Sequence, residues 1–111
     1  MEHEARRAAR TAYKERKVEA GIYAVRCAAS GQVWAGSAPD VSTIRNRLWF
    51  TLQWGNNGHA TLQAAWNRHG EAAFSFEIVE RIEPAESAWL RSRTLRDRLA
   101  HWLDRLGATR I

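Results

Sequence analysis

The sequence is poor in cysteine and has no long apolar run, and each of these shortages excludes a class of protein. It contains a single cysteine, Cys27, so it cannot form an internal disulfide, and we expect a cytoplasmic protein. Cys27 falls within a strand pattern and is interpreted as a small buried hydrophobe. No apolar run approaches the roughly 18 residues that a membrane span needs. The charges in residues 1–7 precede no apolar stretch, so neither a membrane protein nor a signal peptide is expected.

What the chain does contain is enough apolar and aromatic material for one packed domain. Of its 111 residues, 45% are hydrophobic and six are tryptophan, a composition that argues against disorder. The net charge is +5, and the excess lies in residues 1–20 and 81–111. Basic flanking segments suit a polyanion such as nucleic acid, although solvated surface helices would carry the same charges.

The segment after residue 20 predicts a β-hairpin. Apolar residues alternate over 21–27, which indicates a strand with one buried face. Ser30 and Gly31 supply turn chemistry, and residues 32–36 return as the second strand.

Helical periodicity and one further strand follow the hairpin. The predicted elements are a helix over 41–53 capped by Asp40 or Ser42, a short helix stopped by Gly70, a strand over 74–80, and a last helix from Pro84 to Gly107. The last helix is expected to bury Trp89, Leu95, Leu99, Trp102, Leu103 and Leu106. The fold class is therefore α+β, with a small three-stranded antiparallel sheet flanked by helices. Residues 1–20 are expected to form an extra N-terminal helix and 21–107 the domain itself.

Two short motifs carry a resemblance to a known family. Gly21-Ile22-Tyr23 stands on the first strand, and Trp34-Ala35-Gly36 stands on the second, followed by Ser37-Ala38. Together with the stretch over 62–70, which ends in Arg68-His69-Gly70, this pattern resembles the GIY-YIG nucleases. The resemblance covers about Gly21 to Leu106, most of the chain. It implies a metal-dependent endonuclease that hydrolyses DNA phosphodiester bonds.

The resemblance also implies roles for individual residues. Tyr23 matches the first-motif tyrosine, which activates or positions the attacking water. Trp34 replaces the second-motif tyrosine, and an indole N–H can donate a hydrogen bond but cannot accept a proton. Arg45 and Arg47 both lie where the family has a phosphate-binding arginine, and we expect Arg45 rather than Arg47 to flank the apolar stripe. The basic residue that often follows four positions later is absent, and His59 is the candidate substitute.

The metal ligand is the group that this sequence lacks at its expected place. In the family a glutamate lies three residues before an aromatic on the last helix. If Trp102 is that aromatic, the position holds Leu99, which cannot bind Mg²⁺ or Mn²⁺. Asp97 is the alternative ligand, although its spacing also makes it a charge partner for Arg93 or His101.

Aromatic residues near the hairpin face suggest a nucleic-acid surface. Trp49 and Trp54 are candidates for stacking on bases, with Asn57 in the loop after them, and an exposed indole would favour single-stranded substrate. Burial of most of these indoles is the alternative. Three functions stay open: an active endonuclease acting on single- or double-stranded DNA or on RNA, a catalytically degenerate domain that binds nucleic acid, and a protein-interaction module.

Overall fold

The computed structural model describes residues 19–83 and 87–111. The predicted N-terminal helix and the predicted helix start at Pro84 therefore lie outside the described residues. In chain order the elements are β1 (Gly21–Cys27), β2 (Val33–Ala38), α1 (Val41–Trp54), α2 (Ala60–His69), a short 3₁₀ turn (Glu71–Ala73), β3 (Phe74–Arg81), α3 (Ala88–Leu106) and β4 (Thr109–Arg110).

The sheet has four strands in the order β3-β1-β2-β4. β1 pairs antiparallel with both β2 and β3, as the hairpin and the third strand predict. β4 pairs parallel to β2, so the predicted α+β class is confirmed but the sheet is mixed rather than purely antiparallel. The two residues of β4 are both exposed, so they show no alternation from which a strand could be predicted.

The hairpin turn depends on one glycine. Gly31 has a φ of 75°, in the left-handed region that glycine enters without steric cost. Its backbone N–H donates to the Cys27 carbonyl at 2.8 Å, which closes the turn. Because side chains alternate along β1, Tyr23, Val25 and Cys27 point to one face of the sheet, as predicted.

Each face of the sheet packs against different helices. α1 and α2 cover the face that carries Tyr23, and the core between them includes Val25, Trp34, Leu48, Leu52, Leu62 and Trp66. α3 covers the opposite face, where Leu95 and Leu99 pack with Ile22 and Ala35. The side chains of Tyr23 and Leu99 therefore belong to different cores.

Polar caps fix the helix ends close to their predicted positions. Asp40, not Ser42, is the N-cap of α1, and its carboxylate accepts from the Ser42 N–H at 3.0 Å. Ser87 is the N-cap of α3, and its hydroxyl accepts from the Leu90 N–H. Gly107, with a φ of 60°, is the C-cap.

The prediction that the last helix buries Trp89 is wrong. Trp89 is 68% exposed, because it lies about 100° around the helix from the stripe of Leu95 and Leu99. The Arg93 guanidinium covers its ring at 5.5 Å from the centroid. Among the described residues, no helix is both long enough and apolar enough to cross a membrane.

Candidate functional site

The two sequence motifs meet at a contact between Tyr23 and Gly36. These residues are direct partners across the β1–β2 ladder. A Cβ added to Gly36 would lie 2.5 Å from the Tyr23 hydroxyl oxygen and 2.9 Å from the carbonyl oxygen of Ile111. Only glycine leaves room for the phenol ring here, so the glycine of the second motif positions the tyrosine of the first.

The first-motif glycine is also required by a close contact. A Cβ on Gly21 would lie 2.4 Å from the backbone carbonyl oxygen of Glu80 on β3. A neighbouring backbone cannot move aside as a flexible side chain can. Gly21 therefore lets β3 approach β1 at the end of the strand that holds Tyr23.

Tyr23 itself is 4% exposed. Its ring stacks on Phe76, with the centroids 5.5 Å apart. Burial raises the pKa of the Tyr23 hydroxyl, because a phenolate loses its hydration, and the positive charge of Arg47 lowers that pKa in opposition. The hydroxyl is therefore protonated at neutral pH and lies within the field of one cation.

The charge that acts on the Tyr23 hydroxyl is that of Arg47, whereas Arg45 packs on Trp49. The Arg45 guanidinium covers the Trp49 ring at 5.0 Å from the centroid. Residues four apart share a helix face, so buried Trp49 holds Arg45 on its own flank of α1. That flank faces β3, where Trp49 contacts Phe76. Which of the two arginines binds phosphate stays a prediction, and the field on Tyr23 favours Arg47.

Trp34 lies on the same face of the sheet as Tyr23 but is 1% exposed. Its indole N–H donates to the hydroxyl of Thr61 on α2 at 3.0 Å. Its ring stacks on Phe74 with the centroids 6.0 Å apart. The indole is thus a core anchor for α2, and its single donor already has a partner.

The loop between α1 and α2 is held by Asn57. Its side-chain amide donates to the Thr51 hydroxyl at 2.9 Å, and its side-chain oxygen accepts from the His59 N–H at 2.9 Å. Its backbone N–H donates to buried Gln63 at 3.0 Å. Asn57 therefore shapes the loop that presents His59, which is exposed at the start of α2.

The two tryptophans proposed for base stacking differ in accessibility. Trp49 is 7% exposed and makes edge contacts with Trp66 and Phe76, so the structure places it in the core. Trp54 is 71% exposed and lies beside Phe50, with the ring centroids 6.0 Å apart. Only Trp54 of this pair offers a ring face to a ligand.

The candidate metal ligands of the last helix do not belong to a cluster of donors in the described residues. Within 19–83 and 87–111, no three His, Cys, Asp or Glu side chains come together as a possible metal site. Leu99 is 4% exposed and packs in the core under the sheet. Asp97 lies on the outer face of α3 and pairs with Arg93 at 3.9 Å, the charge partner that its spacing suggests. Mg²⁺ is usually held by one or two carboxylates together with waters and substrate phosphates, and Leu99 stands where the resemblance expects that carboxylate.

The carboxylate of Glu80 has a structural role. Glu80 on β3 accepts from the indole N–H of Trp102 at 2.8 Å and from Arg98 at 2.7 Å. Partial burial raises the Glu80 pKa, but these hydrogen bonds and the charges of Arg98 and His101 outweigh it, so the pKa lies below its ordinary value. Glu80 therefore ties α3 to the sheet.

An open groove lies beyond Trp34, at the tip of the hairpin. Its volume is about 530 Å³, and its lining does not include Tyr23 or Arg47. The lining residues are Ala29, Ser30, Gln32, Thr61, Ala64, Ala65, Arg68 and His69. Arg68 makes this groove basic, and the groove lies along α2, one of the two helices that cover the tyrosine-bearing face.

Sequence reasoning missed two contacts of the site. Thr61 holds Trp34, and no motif marks it, because a threonine in the first turn of a helix is common. Ile111 donates its N–H to the Ala35 carbonyl at 2.9 Å and packs on the core around Tyr23. Nothing in a two-residue exposed strand predicts that contact.

The sheet order and the helices on both faces give a fold similar to that of GIY-YIG domains. Two solved structures share it. One is described as the catalytic domain of intron endonuclease I-TevI in a glutamate-to-alanine mutant form. It is 26% identical with a TM-score of 0.67, covering 80% of this chain and 84% of that chain. The other, the catalytic domain of homing endonuclease I-TevI, is 26% identical with a TM-score of 0.66, covering 83% and 97%.

These similarities confirm the resemblance to the GIY-YIG nucleases that the two motifs predict. No protein-family model and no curated protein matches the sequence.

Proposed function

We propose that this chain is a GIY-YIG-type endonuclease that hydrolyses phosphodiester bonds of DNA. The single observation that supports this most is the position of the Tyr23 hydroxyl against Gly36 and within the field of Arg47, on a fold shared with endonuclease catalytic domains. Hydrolysis needs a group that handles the proton of water and a cation that offsets the growing phosphate charge. Tyr23 and Arg47 supply one of each.

Each residue has a defined part in the proposed reaction. Because burial raises the Tyr23 pKa, its hydroxyl first positions the attacking water by a hydrogen bond. In the step itself Tyr23 has lost its proton to solvent, and the phenolate oxygen accepts the proton of the water whose oxygen bonds to phosphorus. The bond from phosphorus to the leaving sugar oxygen breaks, and that oxygen takes a proton from solvent water. Arg47 favours this step in two ways, since its charge stabilises both the phenolate and the pentavalent phosphate.

DNA is the proposed substrate because the family resemblance implies it, and both similar solved structures are catalytic domains of the homing endonuclease I-TevI. RNA offers the same phosphodiester and is tested beside it. Mg²⁺ or Mn²⁺ is the cofactor that the family resemblance implies, so the cleavage assays include each ion. Leu99 stands where the resemblance expects the carboxylate ligand of that ion, and the described residues include no cluster of three possible ligands.

A second candidate is a domain that binds nucleic acid without cutting it. The apolar Leu99 at the expected carboxylate position and the engaged indole of Trp34 both favour it. Binding would use Arg47 and the basic groove, and its affinity would fall as salt rises, because phosphate contacts release counterions.

Cleavage of labelled DNA and RNA by the purified chain separates these candidates. The endonuclease predicts products with Mg²⁺ or Mn²⁺ from the parent protein and none from Tyr23→Phe. The binder predicts salt-dependent affinity without products. A chain that neither binds nor cuts would instead be a protein-interaction module.

A further inference from the structure

The outer face of α1 carries an aromatic strip that begins at the candidate catalytic pair. Arg47, Phe50 and Trp54 are spaced three and four residues apart, so they lie within about 60° of one another around the helix. All three side chains are exposed, Phe50 at 59% and Trp54 at 71%. We call this set the α1 strip.

The α1 strip is continuous with the place where cutting is proposed. Arg47 is the cation whose field reaches the Tyr23 hydroxyl. Trp54 lies seven residues further along, about 10 Å at the helical rise of 1.5 Å per residue. A phosphate held at Arg47 would therefore leave its neighbouring nucleotides beside the two rings.

The chemistry of the α1 strip suits a nucleic acid. Helix α1 contains two arginines and no acidic residue, so it is a positively charged segment. The nearby carboxylate of Asp40 is held by the backbone and hydroxyl of Ser42. Proteins bind single-stranded nucleic acid by combining exposed aromatic rings with a cation that contacts the phosphate backbone, since every base has a face that can stack on a ring.

A second copy of the chain is a weaker occupant for this strip. Buried aromatic side chains contribute about 150–250 Å² each. Two partly exposed rings thus fall well short of the roughly 800 Å² per partner that stable interfaces bury. Duplex DNA is also weaker, because its bases present only their edges in the grooves.

We propose that Phe50 and Trp54 stack on unpaired bases of the strand whose phosphate Arg47 holds, so that the preferred substrate is single-stranded. This rests on the proposed nuclease site for its location, but base stacking does not require cutting. The α1 strip gives the preference for single-stranded over double-stranded substrate, whereas Tyr23 acts on the phosphodiester.

The test is a binding measurement made without divalent metal, so that nothing is cut. Fluorescence anisotropy of a labelled oligonucleotide is recorded for the single strand and for the matching blunt duplex. The parent chain should bind the single strand more tightly. Trp54→Ala should weaken single-strand binding by roughly 5- to 150-fold, the loss expected when one stacking ring is removed. Trp54→Tyr, which keeps a ring, should restore most of it.

Trp89 offers a matched control, since it is 68% exposed, lies beside Arg93 and stands on the helix that covers the opposite face of the sheet. Trp89→Ala should leave both affinities unchanged. Unchanged single-strand affinity in Trp54→Ala would overturn the proposal, as would an equal loss on duplex or an equal loss in Trp89→Ala. A parent dimer that Trp54→Ala converts to monomer would assign the strip to a second copy instead. Cutting of duplex with no effect of Trp54 would retain the endonuclease and remove only the stacking.

Discussion

The hydroxyl oxygen of Tyr23 lies 2.5 Å from the point where a Cβ of Gly36 would stand. The two motifs are therefore one packing unit, in which a missing side chain on β2 makes the space that a ring on β1 fills. The carbonyl of Ile111 closes the same space at 2.9 Å. A substitution at Gly36 should consequently affect both the stability of the sheet and the position of the proposed catalytic oxygen.

Gly36→Ala should destabilise the fold by about 1–3 kcal/mol, the usual cost of overpacking a filled core. Chemical denaturation monitored by circular dichroism measures it. Gly58→Ala is the matched control, because nothing lies within 4 Å of its added Cβ. That variant should be neutral or slightly more stable. Equal stability of Gly36→Ala and the parent would contradict the packing described for Tyr23.

Arg47→Ala should lower the cleavage rate by about 10²- to 10³-fold, the loss typical of removing one group that stabilises the transition-state charge. The slope of log affinity against log salt concentration should also become shallower by about 1, the change expected when one phosphate contact is lost. Arg45→Ala serves as the control, since Arg45 covers the Trp49 ring and Arg47 is the arginine whose charge acts on the Tyr23 hydroxyl. A larger loss of cleavage for Arg45 than for Arg47 would reverse the assignment.

Asp97→Asn should leave cleavage unchanged with either Mg²⁺ or Mn²⁺. The side chain is 63% exposed and pairs only loosely with Arg93, so stability should shift by no more than about 0.5 kcal/mol. Initial rates across a metal titration provide the measurement. If the variant needs much more metal to reach the same rate, Asp97 is a ligand after all.

Glu80 predicts a pH-dependent contribution to stability. Its pKa is depressed in the folded state, so its contribution is complete above the ordinary value near 4.3 and is lost as pH falls through the lower folded pKa. Glu80→Gln should cost about 1–2 kcal/mol at neutral pH, since hydrogen bonds from Trp102 and Arg98 weaken. Urea unfolding at several pH values should show this gap steady from pH 7 to about pH 5 and closing below it. If the difference in stability between the parent and Glu80→Gln persists at the lowest pH values, the stabilisation comes from packing and not from the Glu80 charge.

The hairpin, the helix periodicities and the caps could be predicted from the sequence because they follow local rules. Tyr23 and its neighbours alternate, Asp40 precedes a helical stripe, and Gly107 ends one. The choice between Arg45 and Arg47 could not be made locally, because it depends on Trp49 being buried at one flank of α1. Nor could β4, whose two residues gain their partners only from the position of β2.

The site divides in the same way. The first motif identifies Tyr23 directly. The hydrogen bond from the Trp34 N–H to Thr61, in contrast, joins two residues that are 27 positions apart in the sequence. The exposure of Trp54 and the burial of Trp49 likewise depend on tertiary packing, since both are tryptophans on one helix.

Cleavage by Tyr23→Phe tests the central claim most directly. The substitution removes one oxygen from a ring that is held by Phe76 and Gly36, so the fold should be retained. Labelled single-stranded and duplex DNA are incubated with the parent and the variant in Mg²⁺ or Mn²⁺, and circular dichroism verifies folding. The account predicts that the parent cuts and the folded variant does not. Cutting by Tyr23→Phe at the parent rate would contradict it.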